Sequence, residues 1–351
     1  MLKAKILSKS TSYFAILALI AILFASCIWG KSPYYVDVTN IKADLKIKRF
    51  DRDVQKLDLN NFNQGVQELE KKYPKFYPVF KTEVFGWNQK PNTKNDSLFA
   101  VQFNTLMSDP YVQEVYDSVQ NHFGDFSPYE AELEKAFKHF KYYFPNRQLP
   151  EVVTFVSNFT YASFTIDSSI LAIGLDMFLG DTFKYYKSVF PEYLTQTLKP
   201  EYLTANCMNV VGSMVYDATP DDNKLISAMI AAGKELHFVD RMMPSAPDYV
   251  KIGYTPEKLQ WCKDNEAQIW NFFVEKDLLF NTNQAETGKL MSPGPFTAGM
   301  PPASPGKIGV WVGWQIVRRF MLNNPDVTLD ELMTQYSAQS ILQGSKYKPT
   351  F

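Results

Sequence analysis

One interruption in the apolar pattern constrains the fold of this 351-residue chain most strongly. Between residues 62 and 144 apolar side chains recur every three or four positions, which predicts about four amphipathic helices. Between residues 145 and 174 the pattern changes to three short runs rich in β-branched and aromatic residues, at 152–156, 161–166 and 170–174. Helical spacing returns after Leu175, so a small block of strands is expected among helices.

The residues between these runs indicate how the strands pair. Asn158 separates the first two runs and Asp167-Ser168-Ser169 separates the last two, and both separators are typical of turns. They favour an antiparallel β-meander, and a further short strand is predicted at 44–50. The predicted fold class is therefore α+β and mostly helical, with a small antiparallel meander embedded in helices.

The amino terminus has the order of a secretory signal. Three lysines precede an apolar run at 13–25, which ends in the small residues Ala25 and Ser26 directly before Cys27. This run is shorter than the ~20 apolar residues that a bilayer-spanning helix needs. Small residues before a cysteine resemble a lipobox, in which the thiol receives diacylglycerol and the chain is cut just ahead of it. The alternatives are an ordinary signal peptide cut near Ala25 and an uncleaved anchor.

Lipidation of Cys27 predicts three segments: a signal peptide at 1–26, a lipid-anchored tether at 27–43 and a single globular domain at 44–351. The membrane is then one partner, through the lipid. The 36 basic and 37 acidic side chains give a formal charge of −1 without any basic block, so nucleic-acid binding is not expected. Cys207 and Cys262 lie on apolar helical stripes and are predicted to be core thiols.

Few residues have the spacing that catalysis requires. A common zinc hydrolase site needs two histidines one helical turn apart, and none of the three histidines of this chain has such a neighbour, so no metal or cofactor is predicted. The best remaining group is Glu235, His237 and Asp240, in which a buried His-Asp pair could act in acid-base catalysis. The alternative, which we favour, is a core histidine whose ring is satisfied by a neighbour.

A glycine-containing helix is predicted near the carboxyl terminus. Gly309 and Gly313 share one face of it, where the missing Cβ allows another backbone to approach closely. Helix packing is favoured there over a ligand cleft because the surrounding residues are apolar. Trp311, Trp314 and Tyr347 are candidates for a sugar-stacking platform or, more commonly, for core packing.

Several motifs together resemble one family. They are residues 174–180 (GLDMFLG), 236–244 (LHFVDRMMP), 261–270, 304–314 (SPGKIGVWVGW) and 345–349 (SKYKP). In these the chain resembles the gliding-motility lipoprotein GldB family of Bacteroidota. The resemblance implies a lipid-anchored envelope protein that is required for movement over surfaces, with partners in the gliding and type IX secretion machinery. It brings no catalytic residues. The anchored chain is expected to face the periplasm, because no acidic cluster follows Cys27.

The chain also resembles, more distantly, predicted zinc peptidases. Their ligand helix carries two histidines and the next helix a Glu-Gly pair, whereas residues 203–217 here contain neither His nor Glu and the next helix has Ala232-Gly233-Lys234. The resemblance implies a degenerate peptidase-like scaffold without its metal, so we predict a non-catalytic supporting component. The alternative is a periplasmic hydrolase with an unrecognised site near His237.

The maturation scheme makes a direct prediction about Cys27. Cys27→Ser should abolish lipid attachment and mislocalise the protein, because only the thiol can carry a thioether-linked diacylglyceryl group. Labelling of cells with a fatty-acid analogue measures this against the unaltered chain. Equal label in both proteins would show that the segment is an ordinary signal or an anchor helix.

Overall fold

A small mixed β-sheet lies among helices in the computed structural model, which describes residues 32–87, 93–216 and 219–349 and only the backbone of 93–96. The strands are β1 (Ile47–Arg49), β2 (Glu151–Phe155), β3 (Ser163–Ile166) and β4 (Ile170–Gly174). Their order in the sheet is β1-β2-β4-β3. β1 and β4 run parallel to β2, and β3 runs antiparallel to β4.

Helices occupy most of the chain before the main strands, as the apolar spacing predicts. The short helices there are α1 (Phe50–Gln55) and α3 (Phe76–Val79), and a π-helical turn follows at Phe80–Val84. The four longer ones match the four predicted stripes: α2 (Phe62–Lys72), α4 (Thr93–Met107), α5 (Pro110–Phe123) and α6 (Ser127–Tyr143).

The chain after β4 contains helices and loops. The helices are α7 (Tyr186–Val189), α8 (Glu192–Thr195), α9 (Leu203–Val215), α10 (Leu225–Met242), α11 (Asp248–Ile252), α12 (Pro256–Asp264), α13 (Glu266–Glu275), α14 (Gln284–Met291), α15 (Ile308–Asn323), α16 (Leu329–Thr334) and α17 (Ala338–Ser345), with 3-10 turns at Leu175–Phe178 and Pro200–Tyr202. The predicted α+β, mostly helical class is confirmed.

The sheet topology differs from the predicted antiparallel meander. Only β3 and β4 form an antiparallel hairpin, around the predicted turn at Asp167, whereas β2 pairs with β4 in parallel from Glu151↔Ile170 to Phe155↔Gly174. The chain therefore passes β4 after β2, and β3 lies on the far side of β4. The physical signal is burial: β4 is buried along its whole length, which is typical of a central strand with both faces covered rather than of a meander strand.

The helical part of the core is organised by the crossing of α10 and α15. A Cβ on Gly313 would overlap the carbonyl group of Met229, and one on Gly233 would lie 2.9 Å from the amide nitrogen of Trp314. A Cβ on Gly309 would lie 2.7 Å from the Met291 sulfur. The glycine face of α15 therefore packs against other elements, and the ligand-cleft alternative for Gly309 and Gly313 is wrong.

Helix ends agree with the sequence signals. Thr255 caps α12 by accepting a hydrogen bond from the Lys258 amide, and Thr328 forms a capping box with Glu331. The described residues from Val38 onward group into one compact unit. Within the described ranges, every helix is too short or too polar to cross a bilayer.

The α10–α15 crossing predicts the effect of one substitution. Gly313→Leu should destabilise the protein by ~1 to 3 kcal/mol or more, because the added side chain has no room beside Met229. Gly288→Leu is the matched control, since that helical glycine has open space around it and leucine has the better helix propensity. Chemical denaturation of both variants gives the free energies of unfolding. An unchanged midpoint for Gly313→Leu would contradict the packing interpretation.

Candidate functional site

His237 and Asp240 are brought together in the middle of the fold. They lie one turn apart on α10, both fully buried, with 3.7 Å between the histidine Nδ1 and an Asp240 carboxylate oxygen. This distance exceeds that of a hydrogen bond. The sequence-predicted pair is thus present, and the groups around it decide what it can do.

Asp240 is the centre of a buried network that joins three helices. Its carboxylate accepts hydrogen bonds from Lys251 Nζ at 2.9 Å, from Trp314 Nε1 at 2.9 Å and from Arg318 Nη2 and Nε at 2.6 and 2.8 Å. Lys251 belongs to α11, and Trp314 and Arg318 belong to α15. The carboxylate of one α10 residue therefore links α10 to both other helices.

Arg318 extends this network to a second carboxylate. Its guanidinium donates to both oxygens of Asp248 at 2.7 and 2.8 Å and lies 3.6 Å from the ring centroid of Trp314. Lys251 also lies 3.5 Å from Asp248. Asp240, Asp248, Lys251, Arg318 and Trp314, named here the Asp240 network, thus contain two negative and two positive charges in mutual contact, which is the arrangement that buried ions require.

The protonation states follow from these contacts. Burial raises the pKa of Asp240, but the hydrogen bonds and charge of Arg318 and the charge of Lys251 outweigh it and hold the pKa below its ordinary value. Burial lowers the pKa of His237 to about 3, so its ring is neutral at neutral pH. Arg241 Nε donates to His237 Nε2 at 3.1 Å, which places the ring proton on Nδ1, toward Asp240.

Glu235 is not part of this arrangement, and the predicted three-residue group is wrong in that respect. Two residues along a helix correspond to about 200° of rotation, so Glu235 and His237 leave α10 on different sides. Glu235 instead accepts a hydrogen bond from Ser213 on α9 at 3.3 Å, and burial raises its pKa. The two-residue spacing in the sequence is enough to show that Glu235 and His237 lie on different sides of a helix.

A cleft of about 610 Å³ adjoins the Asp240 network. Lys251 and its neighbours Val250 and Ile252–Gly253 form part of its wall, so α11 serves both the network and the cleft. Asn206 and Asn209 of α9 line another part. Lys258 and Lys307 also belong to the wall, and we name the whole cavity the lysine cleft. Its volume is in the range of small-molecule sites.

Other residues singled out in the sequence include three cysteines and two tryptophans. Cys27 lies outside the described residues, so its lipidation stays a prediction. Cys207 and Cys262 are buried, as predicted, and burial raises the pKa of both thiols. Trp311 and Trp314 are almost completely buried, so a sugar platform that includes them is wrong and core packing is confirmed.

The residues that sequence reasoning missed are the partners of Asp240 and the two cleft lysines. Arg318 had a detectable signal, since it lies one turn after Trp314 in a helix whose neighbouring positions are apolar. A charged group on such a stripe needs a buried counter-charge. In the described ranges, no three His, Cys, Asp or Glu side chains are grouped closely enough to hold a metal ion.

Removal of the Arg318 charge tests the Asp240 network. Arg318→Met should destabilise the protein by ~3 to 5 kcal/mol, because the buried carboxylate of Asp240 and the partly buried one of Asp248 would then share Lys251 as their cation. Arg319→Met is the matched control, since Arg319 is the exposed neighbour on the same helix and should change stability by less than ~0.5 kcal/mol. Equal denaturation midpoints for the two variants would show that the network contributes little.

Comparison with known proteins gives one match. The family model described as gliding motility protein GldB matches residues 31–349, which is most of the chain. Searches of curated proteins and of solved structures give no match. The matched range includes the sequence from the first strand through the Asp240 network and the lysine cleft to the last helix. The chain therefore belongs to the gliding motility protein GldB family.

Proposed function

We propose that this protein is a lipid-anchored, periplasm-facing component of the cell envelope that supports surface gliding by binding other components rather than by catalysis. Family membership supports the link to gliding, and the signal-like segment ahead of Cys27 supports the anchor. The observation that carries the non-catalytic part is the use of the Asp240 carboxylate as a structural link among three helices.

The position of His237 supports this proposal. A general acid or base must reach the substrate and must change protonation near the working pH. The His237 side chain is fully buried and its pKa is lowered to about 3. A hydrolase centred on His237 and Asp240 would need both groups to be released from the contacts that stabilise the fold.

The residues of α9 that line the lysine cleft also support a non-catalytic role. The cleft-lining polar residues of this helix are Asn206 and Asn209, whereas zinc in proteins is bound by thiolate, imidazole and carboxylate groups. Asn206 Oδ1 accepts from Ser163 at 2.5 Å and Asn209 Nδ2 donates to the Ala205 carbonyl at 3.0 Å. Both amides thus have structural partners in a cleft suited to binding. The partners of such a component belong to the gliding or type IX secretion machinery.

His237→Gln separates the two functional hypotheses. The glutamine amide can still accept a hydrogen bond from Arg241, so a modest stability loss of ~1 kcal/mol is expected and spreading should be retained. The measurement is complementation of a strain that lacks this chain, at matched protein abundance. His122→Gln is the control at an exposed histidine and should also restore spreading.

Two outcomes would contradict the proposal. One is loss of motility in the His237→Gln strain alone, with normal abundance, which would make His237 a functional group. The other is stoichiometric zinc that stays with the purified protein after dialysis.

A further inference from the structure

Two lysines in the wall of the lysine cleft have only neutral partners in the contacts that the structure describes. Lys307 Nζ donates to the Ile252 carbonyl at 2.6 Å and lies 5.6 Å from the ring centroid of Tyr254. Lys258 Nζ lies 2.8 Å from the Ser304 carbonyl and between 3.2 and 3.4 Å from three more carbonyls of the loop before α15. Within the described part of the chain, neither ammonium has a carboxylate within 4.0 Å.

Lys251, in the same cleft wall, is a lysine whose charge is balanced within the fold. Its ammonium lies 2.9 Å from Asp240 and 3.5 Å from Asp248. Lys307 lacks such a counter-charge, and burial lowers its pKa to about 8. Burial also lowers the pKa of Lys258. An anion in the cleft would supply the missing charge to a group that is already partly removed from water.

The backbone holds Lys307 in an unfavourable conformation. Its φ is +47°, in the left-handed region that residues with a Cβ seldom adopt. The Tyr254 hydroxyl donates to the Gly306 carbonyl at 2.8 Å, and the Lys307 amide donates to the Ser292 carbonyl at 2.9 Å. A Cβ on Gly306 would lie 2.9 Å from the Gly294 Cα, so the two loop segments are packed together. Unfavourable backbone conformations that are held in place by several surrounding contacts are concentrated at binding and active sites.

The rest of the cleft is suited to a polypeptide. Among the described residues, Glu192 is the one acidic side chain that lines the cleft, and it is exposed. The remaining wall combines apolar, aromatic and amide groups, including Phe178, Tyr193, Leu194, Gln196 and Tyr202. Ala162 lines the cleft directly before β3, which is an edge strand of the sheet. Apolar and aromatic groups can accept the side chains of a polypeptide, and amide groups can form hydrogen bonds with its backbone.

We propose that the lysine cleft binds a carboxylate-bearing polypeptide segment, with Lys307 and Lys258 supplying the positive charge for the carboxylate. The carboxylate belongs either to a chain end or to an acidic side chain. This inference rests on the cleft alone and goes beyond the supporting role in gliding, so either can fail without the other.

Lysine labelling of the full chain in detergent tests the proposal. The probes are a pool of N-acetylated tetrapeptides with free carboxyl termini, the same pool as carboxyl-terminal amides, an amide pool with one internal Asp, and inorganic phosphate. Acetylation rates are read by mass spectrometry. The free-carboxylate pool or the Asp pool should slow the labelling of Lys307 and Lys258 at least threefold, and which pool acts identifies the source of the carboxylate.

Exposed Lys289 is the internal control and should label at the same rate throughout. Equal protection by the plain amide pool, protection by phosphate alone, or no protection by either carboxylate pool would overturn the proposal.

Substitutions give a second, independent measurement of peptide affinity. Lys307→Met should weaken binding of the protecting pool at least tenfold, whereas Lys307→Arg and Lys289→Met should keep it within about threefold. Unchanged affinity in a folded Lys307→Met protein would overturn the assignment of Lys307. The labelling of the unaltered chain decides the proposal even if this variant does not fold.

Discussion

The carboxylate of Asp240 is the constraint on which the helical half of the structure depends. A buried charge costs several kcal/mol unless donors surround it, and here the donors come from two other helices, α11 and α15. The direction of each hydrogen bond therefore limits how α10, α11 and α15 can be arranged. The contact of Gly313 with Met229 adds a distance limit, since only a residue without a Cβ allows α15 to come so close.

These limits extend to the lysine cleft because α11 has two roles. Lys251 is bound by Asp240, and its neighbours Val250 and Ile252 form cleft wall. A well-packed apolar cluster of the same volume is often at least as stable as a buried ion network. Directional contacts instead hold an element in one position, which a binding wall requires. The network is thus better explained by the rigidity of the cleft than by stability alone.

Local signals and non-local contacts explain what the sequence could and could not predict. The helices, the capping residues Thr255 and Thr328 and the packing of Gly313 follow from short-range patterns. Short-range patterns do not predict the parallel pairing of β2 with β4. They also do not predict the hydrogen bonds that Asp240 accepts from Trp314 and Arg318, because these residues lie 74 and 78 positions further along the chain. Periodicity assigns a residue to a face of one element, and the partner across that face depends on the whole topology.

The segment 304–314 joins the cleft to the core in a single stretch. Lys307 precedes the first turn of α15 and faces the lysine cleft, while Gly313 and Trp314 of the same helix contact α10. Lys307 and Arg318 are eleven positions apart, which is ~16 Å along a helix at 1.5 Å per residue. Because α15 is held at Arg318 by two carboxylates and at Gly313 by a close backbone contact, it cannot shift without moving Lys307. The Asp240 network therefore determines the position of a cleft lysine with which it makes no direct contact.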